Sequence, residues 1–118
     1  MSKNVLKFST ASADVDAYKP DAEKVISGKP DQTIRNYYTD PTGKFSAGIW
    51  TGEVGKMKIS YTEEEFCTLL VGKVKLTNAD GEETLIDAGD SFVIPAGFEG
   101  TWETIENAQK IYVIYEEN

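Results

Sequence analysis

Short apolar segments separated by turn residues fill the chain from Phe45 onward, and this pattern limits the fold more than any other feature. Residues 56–61 alternate apolar and polar side chains, which is typical of a strand with one buried face. Residues 78–81 have the composition of a hairpin turn. About eight short strands, with turn residues roughly every 8–12 positions and no long helical pattern, predict an all-β sandwich or small barrel.

The first part of the chain is less regular. Residues 1–28 are mostly polar and predict an N-terminal arm. Within them, Pro20 stands at a plausible first helical position and Gly28 follows the segment, so we expect one or two helical turns. Residues 29–44 are rich in turn formers and predict a loop, with a short extended piece over residues 35–38 as an alternative within it. The chain is therefore expected to consist of this short arm and a barrel over residues 29–118.

Size, charge and cysteine content exclude several function classes. A chain of 118 residues suits one domain. Twelve basic against twenty acidic residues give a net charge of −8, which disfavours nucleic acid and membrane surfaces as partners. One cysteine, no signal-like N-terminus and no apolar run of membrane length predict a cytoplasmic protein.

Two spaced motifs carry a family resemblance. Glu65 precedes Gly72 with six residues between them, and Gly89 is followed by Pro95 and Gly97. These spacings resemble the cupin motifs, usually written G-x5-H-x-H-x3,4-E-x6-G and G-x5-P-x-G-x2-H-x3-N. The segments EFC and PAGFEGTW are similar to small cupins related to ureidoglycine aminohydrolase and to ethanolamine-utilisation proteins. The resemblance implies a single antiparallel jelly-roll β-barrel and a homodimer, but not one reaction, because the fold serves many.

The ligand set that this resemblance implies is mostly missing. The chain contains no histidine. The first-motif histidines would fall at Ile59 and Tyr61, the second-motif histidine at Gly100, and the asparagine at Thr104. Only Glu65 remains. Because a transition metal needs about three or four protein donors, we expect no metal and no cofactor.

Strand alternation predicts which side chains share the barrel interior with Glu65. Leu69 and Val71 are expected to point inward on the same strand. The lining is mostly apolar with a few polar groups, which is typical of a small-ligand site. The predicted ligand-binding residues are Met57, Ile59, Tyr61, Cys67, Trp102 and Thr104.

Each polar candidate allows two interpretations. Glu65 is either a general acid or base, or a structural carboxylate bonded to Tyr61 or to the backbone. Cys67 is either a nucleophile or a small buried hydrophobe, and we favour the second because no histidine, lysine or arginine is evident on its face. Trp102 either stacks on a ligand or fills the core.

Three functions follow from this lining. The first is a metal-free cupin that binds a small metabolite as a sensor or accessory protein. The second is a hydrolase or isomerase of a small metabolite with Glu65 as general acid or base, although that chemistry leans on a metal. The third is a non-catalytic dimeric scaffold. We expect the first, because the pocket keeps its lining but lacks metal ligands.

Overall fold

A single antiparallel sheet that curls on itself dominates the computed structural model, which describes residues 3–117. One 3-10 turn, Ala22–Lys24, interrupts the strands. The strands are β1 (Asp14–Tyr18), β2 (Val25–Gly28), β3 (Gln32–Thr39), β4 (Phe45–Gly52), β5 (Gly55–Ser60), β6 (Glu64–Asn78), β7 (Glu83–Asp87), β8 (Ser91–Ile94) and β9 (Glu99–Tyr115).

The two longest strands, β6 and β9, organise this sheet. One edge of β9 pairs with β5 through its first half and with β4 through its second half. The other edge pairs with β6, which in turn pairs with β7 and β8. Beyond β4 the sheet continues with β3 and β1, and beyond β5 it continues with β2, so this path has the order β1-β3-β4-β9-β5-β2. The expected all-β cupin-type jelly roll is therefore confirmed, as an antiparallel sheet curled into a half-barrel.

Of two local predictions near the N-terminus, one is confirmed in part and the other is wrong. The one or two helical turns expected before Gly28 are present as a single 3-10 turn, Ala22–Lys24, and Val25–Gly28 is a strand paired with β5. The loop expected over residues 29–44 is mostly strand β3, which lies between β1 and β4. The turn formers Pro30, Pro41 and Gly43 lie outside this strand, and Ile34, Tyr37 and Tyr38 within it favour extended structure. The division into an arm and a barrel stays a prediction.

A bulged region bends β6 without ending it. Gly72 has a φ of +93° in the left-handed region, and the register with β9 shifts three times between Leu69 and Val74. A shift of one residue turns the following side chains to the other face of a sheet. Val71 was expected to point inward but is 53% exposed, while Val74 and Leu76 are buried.

The core fills the part of the curled sheet where β6, β7, β8 and β9 face one another. Leu69, Val74, Ile86, Ile94 and Trp102 are its largest fully buried apolar side chains. A cavity lies beside this core, lined by residues of β3, β4, β5 and β9 and by Glu65 of β6, and it holds the polar residues described below. Within residues 3–117, no helix is long and apolar enough to cross a membrane.

Candidate functional site

A buried ion pair lies at the inner end of the cavity. The Nζ atom of Lys110 lies 2.9 Å from Oε2 of Glu65, and the two side chains are only 4% and 5% exposed. The thiol of Cys67 donates a hydrogen bond of 3.1 Å to the same oxygen. Strand alternation places these groups: even-numbered residues of β9 and the first odd-numbered residues of β6 face inward.

Two indole rings flank the Lys110 ammonium. Its Nζ lies 4.4 Å from the ring centroid of Trp102 and 5.0 Å from that of Trp50. The two rings meet edge to face, with centroids 5.1 Å apart and planes inclined by 71°. Cation–π attraction to both rings stabilises a positive charge that burial alone would disfavour.

Hydrogen bonds fix these rings from behind. Trp50 Nε1 donates to Gln32 Oε1 at 2.7 Å, and Gln32 Nε2 donates to Met57 Sδ at 3.2 Å. Trp102 Nε1 donates to Thr104 Oγ1 at 2.9 Å. Because buried indole N–H groups need a partner, these bonds define the orientation of both rings and keep the cavity wall rigid.

The cavity itself has a volume of about 750 Å³. Its walls are mainly apolar and aromatic, and its charged members at the buried end are Glu65 and Lys110. Several polar side chains also reach it. The wall residues include Gln32, Ile34, Asn36, Trp50, Met57, Ile59, Tyr61, Trp102, Tyr112 and Ile114, and the lining also contains the charged residues Lys19, Asp21, Lys24, Lys58 and Glu63.

Burial and charge set the protonation of the groups at the buried end. Burial raises the pKa of the Cys67 thiol to about 12 and moves the pKa of Tyr61 well above its usual 10.0. Burial also opposes the charged form of Lys110, but the neighbouring Tyr61, Glu65 and Cys67 outweigh it and raise the Lys110 pKa. Near neutral pH the site therefore offers an ammonium, a phenol and a thiol, all protonated.

The structure brings most of the predicted site residues together. Met57, Ile59, Tyr61 and Trp102 line the cavity with Glu65. Cys67 and Thr104 lie behind the lining, with exposures of 0% and 2%, and each bonds to a residue that reaches the cavity. The roles of all these residues in ligand binding stay predictions.

Sequence reasoning missed Lys110, and its statement that no lysine faces Cys67 is wrong. Lys110 comes from β9, so only the pairing of β6 with β9 reveals the contact. A signal was present at the end of β9, where Lys110, Tyr112 and Ile114 alternate along one face and residues 111–115 are all apolar or aromatic. Gln32 was missed for another reason, because its strand was predicted to be a loop.

The residues around Glu65 do not fit the metal that the cupin resemblance implies. Ile59 and Gly100 offer no side-chain donor, and a protonated amine already occupies the carboxylate of Glu65. Among residues 3–117, no group of three or more cysteine, aspartate or glutamate side chains could hold a metal ion. A cation beside the one remaining ligand also repels a second cation.

Comparison with known proteins gives a consistent family match. The family model of the EutQ-like cupin domain matches residues 39–112. A comparison with curated proteins gives no significant match.

Several solved structures share the fold. The EutQ protein of Clostridium difficile is 17% identical, with a TM-score of 0.67 over 75% of this chain and 65% of that one. A Salmonella typhimurium protein described as a putative ethanolamine utilization protein Q is 18% identical, with a TM-score of 0.67 over 92% and 99%. A Pseudomonas syringae protein of unknown function is 21% identical, with a TM-score of 0.77 over 89% and 45%. The chain thus spans less than two thirds of the Clostridium and Pseudomonas proteins, and at these identities the likeness concerns the fold alone.

Proposed function

Since the chain belongs to the family of EutQ-like cupin domains, we propose that it binds a small metabolite in its barrel without a metal. The observation that carries this proposal is the cavity of about 750 Å³ with a buried ion pair at its inner end. Sites for small molecules have volumes of roughly 300–1,000 Å³ and combine apolar walls with a few polar groups. A cytoplasmic location completes the proposal, supported by the single cysteine and the charge of −8.

The protonation of the site favours binding over covalent catalysis. A nucleophilic cysteine or lysine must lose its proton, and the raised pKa values of Cys67 and Lys110 oppose this loss. Glu65 alone keeps a second candidate open, which is proton transfer on a bound metabolite, because its carboxylate reaches the cavity. The variant Glu65→Gln separates the two functions. An enzyme would lose turnover while ligand binding survives, whereas a binding protein would show only a modest fall in ligand affinity.

We also propose that the chain forms a homodimer through the outer face of the sheet. Val93, Phe66, Val113, Ala47 and Tyr38 lie directly across from one another on five consecutive strands and point away from the core. Val93 and Phe66 are 62% and 46% exposed. A flat apolar row of this kind can pair with itself about a two-fold axis, so a second copy is the partner that fits it.

A metabolite screen by thermal shift tests the binding proposal. A ligand at ten times its Kd stabilises a protein by about 1.4 kcal/mol, which raises the melting temperature by several degrees. Ile114→Trp adds a large side chain inside the cavity and should abolish the shift. Ile105→Trp, on an exposed position of the same strand, is the matched control and should keep it. A hit that shifts both variants equally would contradict binding in this cavity.

A further inference from the structure

The inner end of the cavity carries two charges that cancel. Glu65 and Lys110 are 2.9 Å apart and almost fully buried, so a ligand reaching them meets a negative and a positive group at nearly equal distance. A charged head group would lose its hydration there and gain little net attraction in return. This arrangement disfavours both anions and cations at the inner end.

Hydrogen-bonding capacity nevertheless remains in this region. The bonds from Lys110 and from Cys67 both end on Oε2 of Glu65, and neither uses Oε1. Oε1 can therefore accept a bond from a ligand N–H or O–H. Tyr61 lies close enough to Glu65 and Lys110 for each to affect its pKa, and its hydroxyl stays protonated. Tyr61 and Lys110 line the same cavity as Glu65, so the phenol and the ammonium supply donors there.

The walls next to these groups favour a flat ligand. Trp50 and Trp102 are fixed by their indole hydrogen bonds and flank the ammonium. The two indoles are only 6% and 1% exposed, so the half-buried ring of Tyr61 in the same cavity is the aromatic surface that a planar group contacts.

From these three observations we propose that the cavity selects an uncharged planar head group with a donor beside an acceptor, of the carboxamide or lactam type. The N–H of the ligand donates to Oε1 of Glu65. Its carbonyl oxygen accepts from the Tyr61 hydroxyl or the Lys110 ammonium. The inference rests on the proposed binding function and adds the ligand class to it.

Three probes of nearly equal shape test this inference in the full-length protein. Benzamide is neutral with a donor and an acceptor, benzoate is an anion, and benzamidinium is a cation. Tryptophan fluorescence reports binding, because Trp50 and Trp102 lie in the cavity wall. Benzamide should bind to the unmodified chain roughly tenfold more tightly than either charged probe. Tighter binding of benzoate or of benzamidinium would overturn the proposal.

Removing one charge at a time should change the preference in opposite directions. Glu65→Gln leaves the Lys110 ammonium without its anion, so benzoate should become the tightest probe. Lys110→Met leaves the Glu65 carboxylate alone, so benzamidinium should become the tightest. The double variant restores neutrality and should again prefer benzamide. Preferences that do not move in the folded single variants would overturn the proposal.

The ranking of the three probes is measured on the unmodified chain and needs no substitution. The proposal can therefore still be tested if a single variant fails to fold. Failure of all three probes to bind would overturn the head-group inference alone. The metabolite screen with Ile114→Trp decides the binding function separately, so the two failures can be told apart.

Discussion

Breaking the buried ion pair from one side should be the most damaging single substitution in the chain. The substitution Lys110→Met removes the ammonium group and keeps an unbranched side chain of similar length. Glu65 is then left 5% exposed with only the Cys67 thiol as partner. Removing one member of a buried pair typically costs about 3–5 kcal/mol, because the remaining charge is uncompensated. The lost cation–π contacts with the two indoles act in the same direction.

Urea denaturation followed by far-UV circular dichroism measures this effect. A domain of this size has a total stability of about 5–15 kcal/mol, so such a loss is a large fraction of it. Glu65→Gln should cost a similar amount, whereas the double variant should recover most of the loss, since a neutral pair needs no compensation. The control is Lys75→Met, which breaks the ion pairs of Lys75 with Glu83 at 3.2 Å and with Glu103 at 3.6 Å and should cost far less, because water screens pairs at the surface. A Lys110→Met loss no larger than that of the control would refute the reasoning.

Three further predictions concern pH, backbone and association. The pKa of Cys67 is 9.0 in the unfolded chain and about 12 in the folded one, so the Cys67 contribution to stability should fall as pH rises through this window, by at most about 1.4 kcal/mol per unit. The raised pKa values of Tyr61 and Lys110 add to the slope above about pH 10. Cys67→Ser should flatten that slope in urea titrations, and an unchanged slope would contradict this assignment. Gly72→Ala should cost about 2 kcal/mol more than Gly89→Ala, because both have φ above +90° but only the first Cβ meets the backbone of β9. If the two variants lose the same free energy of unfolding in denaturant melts, the contact of the added Cβ with β9 is unimportant. Phe66→Lys should shift native mass spectra toward the monomer while Leu85→Lys, equally exposed on β7, should not, and a persistent Phe66→Lys dimer would exclude the proposed face.

The sequence predicts the fold well because its signals are local. Strand alternation and turn residues from Phe45 onward describe most of β4 to β9, and the spacing of Gly89, Pro95 and Gly97 indicates the family. Strand β3 escapes the same reasoning although it contains strand formers such as Ile34 and Tyr37, because Pro30, Pro41 and Gly43 around it give the whole segment the composition of a loop. Its pairing with β1 and β4 shows that these turn formers lie outside the strand.

The candidate site is only half predictable, for a different physical reason. Alternation within each single segment predicts that Tyr61 and Trp102 face the barrel interior, and both line the cavity together with Glu65. The partner of Glu65 lies 45 positions further along the chain, on β9. No periodic pattern relates two strands in this way, since their contact depends on long-range register. Alternation could place Lys110 on the inner face of its own strand, but its contact with Glu65 follows only from the assembled sheet.

The most direct test of the central claim is native mass spectrometry of the protein after incubation with a low-molecular-mass metabolite extract, followed by denaturing mass measurement of the same sample. The account predicts an added organic mass on the native protein that disappears on denaturation and that is absent from Ile114→Trp. It also predicts no metal mass. A native protein without any organic adduct, or one carrying a near-stoichiometric metal ion, would contradict metal-free binding of a small metabolite at the Glu65–Lys110 end of the cavity.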